Sequence, residues 1–266
     1  MQTLARLALV LLAAACTAPR PVELSRPPSG VLALRTGPPG AGQGALLVLP
    51  GELALEYAPA TLRLVAVRRG ALAVERGGGL VPAGEPLLER PAGEPLARLA
   101  DGTPLQARLE GVRAGEGREP SAGLAVALVD GAGVVRARLE EEVRPLAVEG
   151  GFGFVRRFRV LPGPYPCRLD LALLDPAGEL EEPGLLAVGS PARGDGTLAS
   201  GGRTVRAAYR APGGRLHRVA LAQPRGVRQE DSLVRVELDR TPVVFELSER
   251  FEPAGTGAPV EAALPR

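Results

Sequence analysis

Apolar and polar residues alternate one by one along most of this chain, and that period of two constrains the fold more than any other feature. Leu53, Leu55 and Tyr57 are separated by Ala54 and Glu56, and Leu105, Ala107 and Leu109 are followed by Gln106, Arg108 and Glu110 in turn. Successive strand residues point to opposite faces, so such runs describe strands with one buried and one solvated side. Leu62 and Leu64, then Ala71 and Ala73, carry the pattern to a turn at Gly77-Gly78-Gly79. Leu124, Val126 and Leu128 lead through Asp130-Gly131-Ala132-Gly133 into Val135, Ala137 and Leu139, which predicts a hairpin. No long stretch after residue 16 has helical spacing. The expected class is therefore all-β, one or two β-sandwich domains built from short strands with Gly and Pro turns between them.

The middle of the chain is the most legible part. Phe154 to Val160 reads as a strand, Leu161-Pro162-Gly163-Pro164 as a corner, and Tyr165 to Leu173 as the next strand, with Tyr165, Cys167, Leu169, Leu171 and Leu173 on one face. Asp175-Pro176-Ala177-Gly178 turns toward a further strand near Leu185 to Val188. With Tyr165 two residues before Cys167, residues 95–189 resemble an immunoglobulin-like or fibronectin-type sandwich, these three strands matching its E, F and G. The resemblance implies a tyrosine whose hydroxyl bonds back to the corner backbone; no tryptophan and no partner cysteine accompany it. Residues 45–94 form an N-terminal β region. Residues 190–251 form a C-terminal β region, separate or joined with 45–94, and 252–266 a frayed tail. In the C-terminal region Val205, Ala207 and Tyr209 alternate, Leu216 to Leu221 returns, and Val234 to Leu238 and Val243 to Leu247 close the set.

Composition argues against most chemistries. The chain has no lysine, so all 32 cationic side chains are arginine, against 30 acidic ones, for a net charge of +2. The signs alternate along the strands, which does not favour nucleic acid. The densest basic group, Arg156, Arg157 and Arg159 around Phe158, fits a solvated strand face better than a nucleic-acid patch. His217 is the sole histidine and shares a face with Val219 and Leu221, which predicts a packed ring instead of a general base. Cys167 could meet it as a thiol pair, but an apolar face opposes the thiolate. The triplet Glu140, Glu141, Glu142 suits a solvated turn better than a calcium cage, since strand neighbours diverge. Gly77-Gly78-Gly79 and Gly150-Gly151-Phe152-Gly153 lack the lysine and the context of phosphate loops. Phe152, Phe154 and Phe158, on one face with Val160, are expected in the core. No metal, cofactor or catalytic residue is expected.

The first residues carry a different signal. Arg6, an apolar run from Leu7 to Ala15, and small residues at its end have the order of a secretory leader. A spanning helix would need roughly 20 apolar residues, and Thr17, Pro19, Arg20 and Pro21 intervene. Ala13 and Ala15 also fit an ordinary A-x-A cleavage site. Ala14, Ala15 and Cys16 resemble the lipobox of bacterial lipoproteins, with Ala13 where leucine is more usual. That resemblance implies a signal peptide over 1–15, a diacylglyceryl group on the Cys16 sulfur, a fatty-acyl chain such as palmitate on the new amino terminus, and a stable membrane anchor. Residues 16–44, rich in Pro, Gly, Ser and Ala, then read as a flexible tether, within which Val31 to Leu34 can begin an edge strand.

The expected protein is a lipid-anchored cell-envelope protein, facing the periplasm or in the outer membrane where two membranes exist. It serves as a non-catalytic binding or scaffolding module whose partner is another envelope protein or polymer. Two other readings stay open: an envelope hydrolase whose carboxylates converge in an interdomain cleft, and a passive structural spacer.

Overall fold

The structure, a computed structural model, describes residues 20–21, 30–36, 43–74, 80–115, 119–174, 180–182, 203–210, 216–223, 226–230 and 233–253. These residues form twenty strands and no helix. In chain order they are β1 (Arg20–Pro21), β2 (Leu32–Thr36), β3 (Gly44–Leu49), β4 (Leu53–Tyr57), β5 (Leu64–Arg69), β6 (Leu72–Val74) and β7 (Leu80–Pro82). There follow β8 (Glu85–Glu89), β9 (Ala97–Leu99), β10 (Pro104–Gly115), β11 (Ser121–Val129), β12 (Val135–Pro145), β13 (Phe152–Pro162) and β14 (Cys167–Leu171). The last are β15 (Leu180–Glu182), β16 (Arg203–Arg210), β17 (Leu216–Gln223), β18 (Val227–Glu230), β19 (Leu233–Leu238) and β20 (Val243–Glu252). The all-β expectation holds. Cys16, the Gly77-Gly78-Gly79 turn and the strand expected near Leu185 to Val188 lie outside the described residues.

Twelve strands make one sheet in the order β15-β16-β17-β20-β13-β12-β11-β10-β9-β14-β19-β18, and its neighbouring strands are antiparallel. The sheet curls until β18 lies beside β17, so it almost closes into a barrel. Closure removes the exposed edges on which strands aggregate. The strands after residue 203 are not an appendage. β20 sits between β13 and β17, and β19 beside β14, so late segments complete the walls started by earlier ones.

A five-stranded sheet, β2-β3-β4-β5-β8, packs on this wall through β2 and β3 against β10 and β11. Its inner face supplies Leu47, Leu49, Leu53, Leu55, Tyr57 and Val67 to the main core. Its outer face carries Leu46, Val48 and Ala54, which with Leu72 make a second, smaller core. Hence every residue of β3 is buried. The small sheet β1-β6-β7 contributes Leu72 and the half-buried Leu80 to that second core. Two parts of the stretch read as a tether are thus strands: Arg20–Pro21 pairs with Val74 and Ala73, and β2 is the edge of the five-stranded sheet.

The hairpin at Asp130 forms as its sequence predicts. The Asp130 carboxylate accepts the Ala132 and Val134 amides, both at 2.9 Å, and the Arg136 Nε at 2.7 Å, while Gly133 takes the left-handed φ of 81° that the turn requires. Chiefly the Val134 amide keeps this carboxyl below the usual aspartate range. Tyr165 differs from expectation. It is 59% exposed and its ring lies 5.8 Å from the Arg136 guanidinium, so it stacks on the outside of the corner instead of filling it.

Candidate functional site

Four adjacent strands of the large sheet each place one polar side chain at an inward position. On β12 the inward residues are Ala137, Leu139, Glu141 and Val143; on β13 they are Phe154, Arg156, Phe158 and Val160. β20 contributes Phe245, Leu247, Glu249 and Phe251, and β17 contributes His217, Val219 and Leu221. Register then staggers the polar members. Glu141 faces Phe158, Arg156 faces Leu247, Glu249 faces Val219, and His217 faces Phe251. Each polar residue is therefore diagonal to the next, a separation that long side chains span.

The result is a continuous buried ladder. Arg156 donates from Nε to Glu141 Oε1 at 2.6 Å and from Nη2 to Oε2 at 3.3 Å, and from Nη1 to Glu249 Oε1 at 3.3 Å. Glu249 Oε2 lies 3.0 Å from His217 Nε2. From the facing sheet Tyr57 donates its hydroxyl to Glu141 Oε1 at 2.5 Å. Arg90, just past β8, brings Nη2 to 3.6 Å from Glu249 Oε2 and donates Nη1 to the Leu173 carbonyl. Aromatic rings wall the ladder: the His217 ring stacks on Phe251 with centroids 4.5 Å apart, and the Arg156 guanidinium lies 4.9 Å above Phe158.

All of these groups are buried, Glu249 completely. Burial alone would raise the Glu249 pKa, but the His217 hydrogen bond and the charges of Arg90 and Arg156 hold it down at about 2. Burial also works against the charged Arg156, yet Glu141 foremost, with Tyr57 and Glu249, shifts its pKa upward and keeps it protonated. Burial, then the neighbouring Glu141 charge, pushes the Tyr57 phenol well above its ordinary range. Two carboxylates thus sit among two guanidiniums and the His217 ring, with Tyr57 as a neutral donor. Each acceptor is engaged by another member of the ladder, so the groups hold one another in place. Their mutual fit works only in this register, because a slip of one residue would turn every strand's inward set to solvent. Removing the Tyr57 hydroxyl leaves Glu141 still held by Arg156. Tyr57→Phe is expected to cost about 1–2 kcal/mol in urea unfolding, and a cost below about 0.3 kcal/mol would show the bond to be idle.

Sequence reasoning placed two of these residues differently. The Glu140–Glu142 triplet lies in the middle of β12, not in a turn; Glu141 points inward while Glu140 pairs outward with Arg159 at 3.2 Å. Arg156 is buried, and only its neighbours Arg157 and Arg159 lie on the solvated face. His217 does share its buried face with Val219 and Leu221, and Phe154 and Phe158 are in the core as expected, whereas Phe152, at the start of β13, is only half-buried against it. Cys167 on β14 is half-buried, its Sγ 3.8 Å from the Arg136 carbonyl and its pKa raised by burial against the opposing charge of Arg136. It does not partner His217, whose Nε2 is turned to Glu249. Cys16, the residue assigned to lipid attachment, lies outside the described residues. The signal for the ladder was present in the sequence as polar residues at apolar phase: Arg156 between Phe154 and Phe158, and Glu249 between Leu247 and Phe251.

A surface groove of about 430 Å³ lies at the opposite end of β12 from the Asp130 hairpin. Its lining includes Leu53, Leu146, Val148 and Phe152, and the exposed Arg69 stacks its guanidinium 4.1 Å over the Phe152 ring. Gly151 stands beside it because a Cβ there would come within 2.5 Å of the Phe251 carbonyl oxygen. No protein-family model and no curated protein matches this chain.

Proposed function

We propose that this protein is a lipid-anchored component of the bacterial cell envelope, tethered through Cys16, and that its β-fold acts as a non-catalytic binding or scaffolding module. The observation that carries the anchor is the lipobox-like Ala14-Ala15-Cys16 closing the apolar run from Leu7. Two such signals on one cysteine, a diacylglyceryl thioether and an acylated amine, give the multiple chains that stable anchoring needs.

The ladder supports the non-catalytic half. A general acid or base must reach a proton on a substrate, whereas Glu141, Glu249 and His217 are sealed in the core and engaged by one another. The carboxylates of a hydrolase in a cleft would be expected to have raised pKa values; the completely buried Glu249 is held low.

Growth with a labelled fatty acid tests the anchor directly. The wild-type chain should take up label and fractionate with membranes, and Cys16→Ser should lose both. Label retained by Cys16→Ser would overturn the assignment. Crosslinking in intact cells then identifies the envelope partner.

A further inference from the structure

We infer that the β6–β7 hairpin and the apolar groove at its foot rest on the phospholipid surface that holds the anchor. This inference depends on lipidation of Cys16. Its basis is the pairing of β1. Arg20 and Pro21 are fixed opposite Val74 and Ala73 of β6, and only residues 17–19 separate them from Cys16. Four Cα steps reach at most about 14 Å. A sulfur whose acyl chains enter the bilayer therefore brings β1 to within that distance of the headgroups, and its neighbour β6 one strand spacing, about 5 Å, farther. The long segment between β1 and β2 gives no additional clearance, because it comes after the attachment point.

The groove is part of the same surface. Ala83 donates its amide to the Ala71 carbonyl at 3.1 Å, Gly70 donates to the Glu52 carbonyl at 2.9 Å, and a Cβ on Gly70 would lie 2.9 Å from the Gly84 Cα. The base of the hairpin is thereby joined to the β3–β4 turn, whose Pro50 and Gly51 line the groove with Leu53 and Phe152. The surface so assembled offers half-buried Val81 and Pro82, with the exposed guanidinium of Arg69 at the groove's rim. Apolar side chains with an arginine at the rim suit the boundary between headgroup phosphates and acyl chains. The Asp130 hairpin, the length of β12 away or about 35 Å, faces outward from the membrane and is free for a partner.

Position-resolved quenching tests this on the lipidated full chain. In a Cys167→Ser background the acylated Cys16 does not react with a thiol label, so Ala83→Cys or Ala132→Cys, both at exposed positions, carries a single fluorophore. The proteins are reconstituted in phosphatidylethanolamine and phosphatidylglycerol vesicles containing a nitroxide-bearing phospholipid. Severalfold stronger quenching at residue 83 than at residue 132 is expected, and Glu85→Cys serves as a second near-membrane reporter should Ala83→Cys lose its thermal unfolding transition. Equal, weak quenching at both ends of a protein that floats with the vesicles would overturn the docked arrangement while leaving the anchor intact. Failure to float would overturn the anchor, and the docked arrangement with it.

Discussion

Arg156→Met is expected to lower the unfolding free energy by about 3–5 kcal/mol, measured by guanidinium or urea denaturation at neutral pH. The arginine is the only group that bridges Glu141 and Glu249 in the ladder. A methionine fills similar space but leaves two buried carboxylates without their shared cation. The penalty arises less from the lost attraction than from the stranded charge. Because domains of this kind are stable by only about 5–15 kcal/mol, the variant would be close to the edge of folding. A loss under about 1 kcal/mol would mean that water reaches the carboxylates and that the ladder is not sealed. Pairing the change with Glu141→Gln sharpens the reading: the two should be strongly non-additive, since they remove ends of one interaction.

The second large effect is an acid limb of stability. Glu249 has a pKa of about 2 in the fold against an ordinary 4.5. A carboxyl held below its ordinary value contributes stability in full above pH 4.5, and that contribution drains away as pH falls toward 2. At about 1.4 kcal/mol per unit the contribution is about 3 kcal/mol. Denaturation midpoints recorded across that window should fall steeply for the wild type. In Glu249→Gln the slope should be shallower, even though that variant begins from a lower midpoint. An unchanged slope in Glu249→Gln would assign the acid sensitivity to other carboxyls.

These effects concern residues that the sequence showed without declaring. Alternation alone exposed the strands and the Asp130 hairpin, because a strand's two faces are a local property and a tight turn needs only its own residues. Which strands meet is decided over long separations. Nothing in the neighbourhood of Val243 to Glu252 says that β20 will lie between β13 and β17, so that pairing was not legible. The ladder sits between these cases. Arg156 and Glu249 each break the apolar phase of their strand, which is readable, but their convergence depends on the registers of four strands taken together. Glu141 was harder to read, because two flanking glutamates gave it the look of a solvated turn while the strand passed straight through. Tyr165 was misplaced for the opposite reason: it keeps the apolar phase of Leu169 and Leu171, yet the chain reaches it before the strand has entered the wall, leaving the ring outside.

The central position of β20 also sets the order in which this chain can finish folding. Its partners β13 and β17 are made first, and the Arg156–Glu249 bond closes a separation of 93 residues. Until Glu249 is delivered, the wall has a gap beside β13 and Arg156 lacks its second carboxylate, so the earlier strands have no complete core to commit to. Such distant closures are slow and come late. A chain synthesised from its N-terminus would therefore stay loose until nearly all of it was made, which is the condition that the proposed export across a membrane would require.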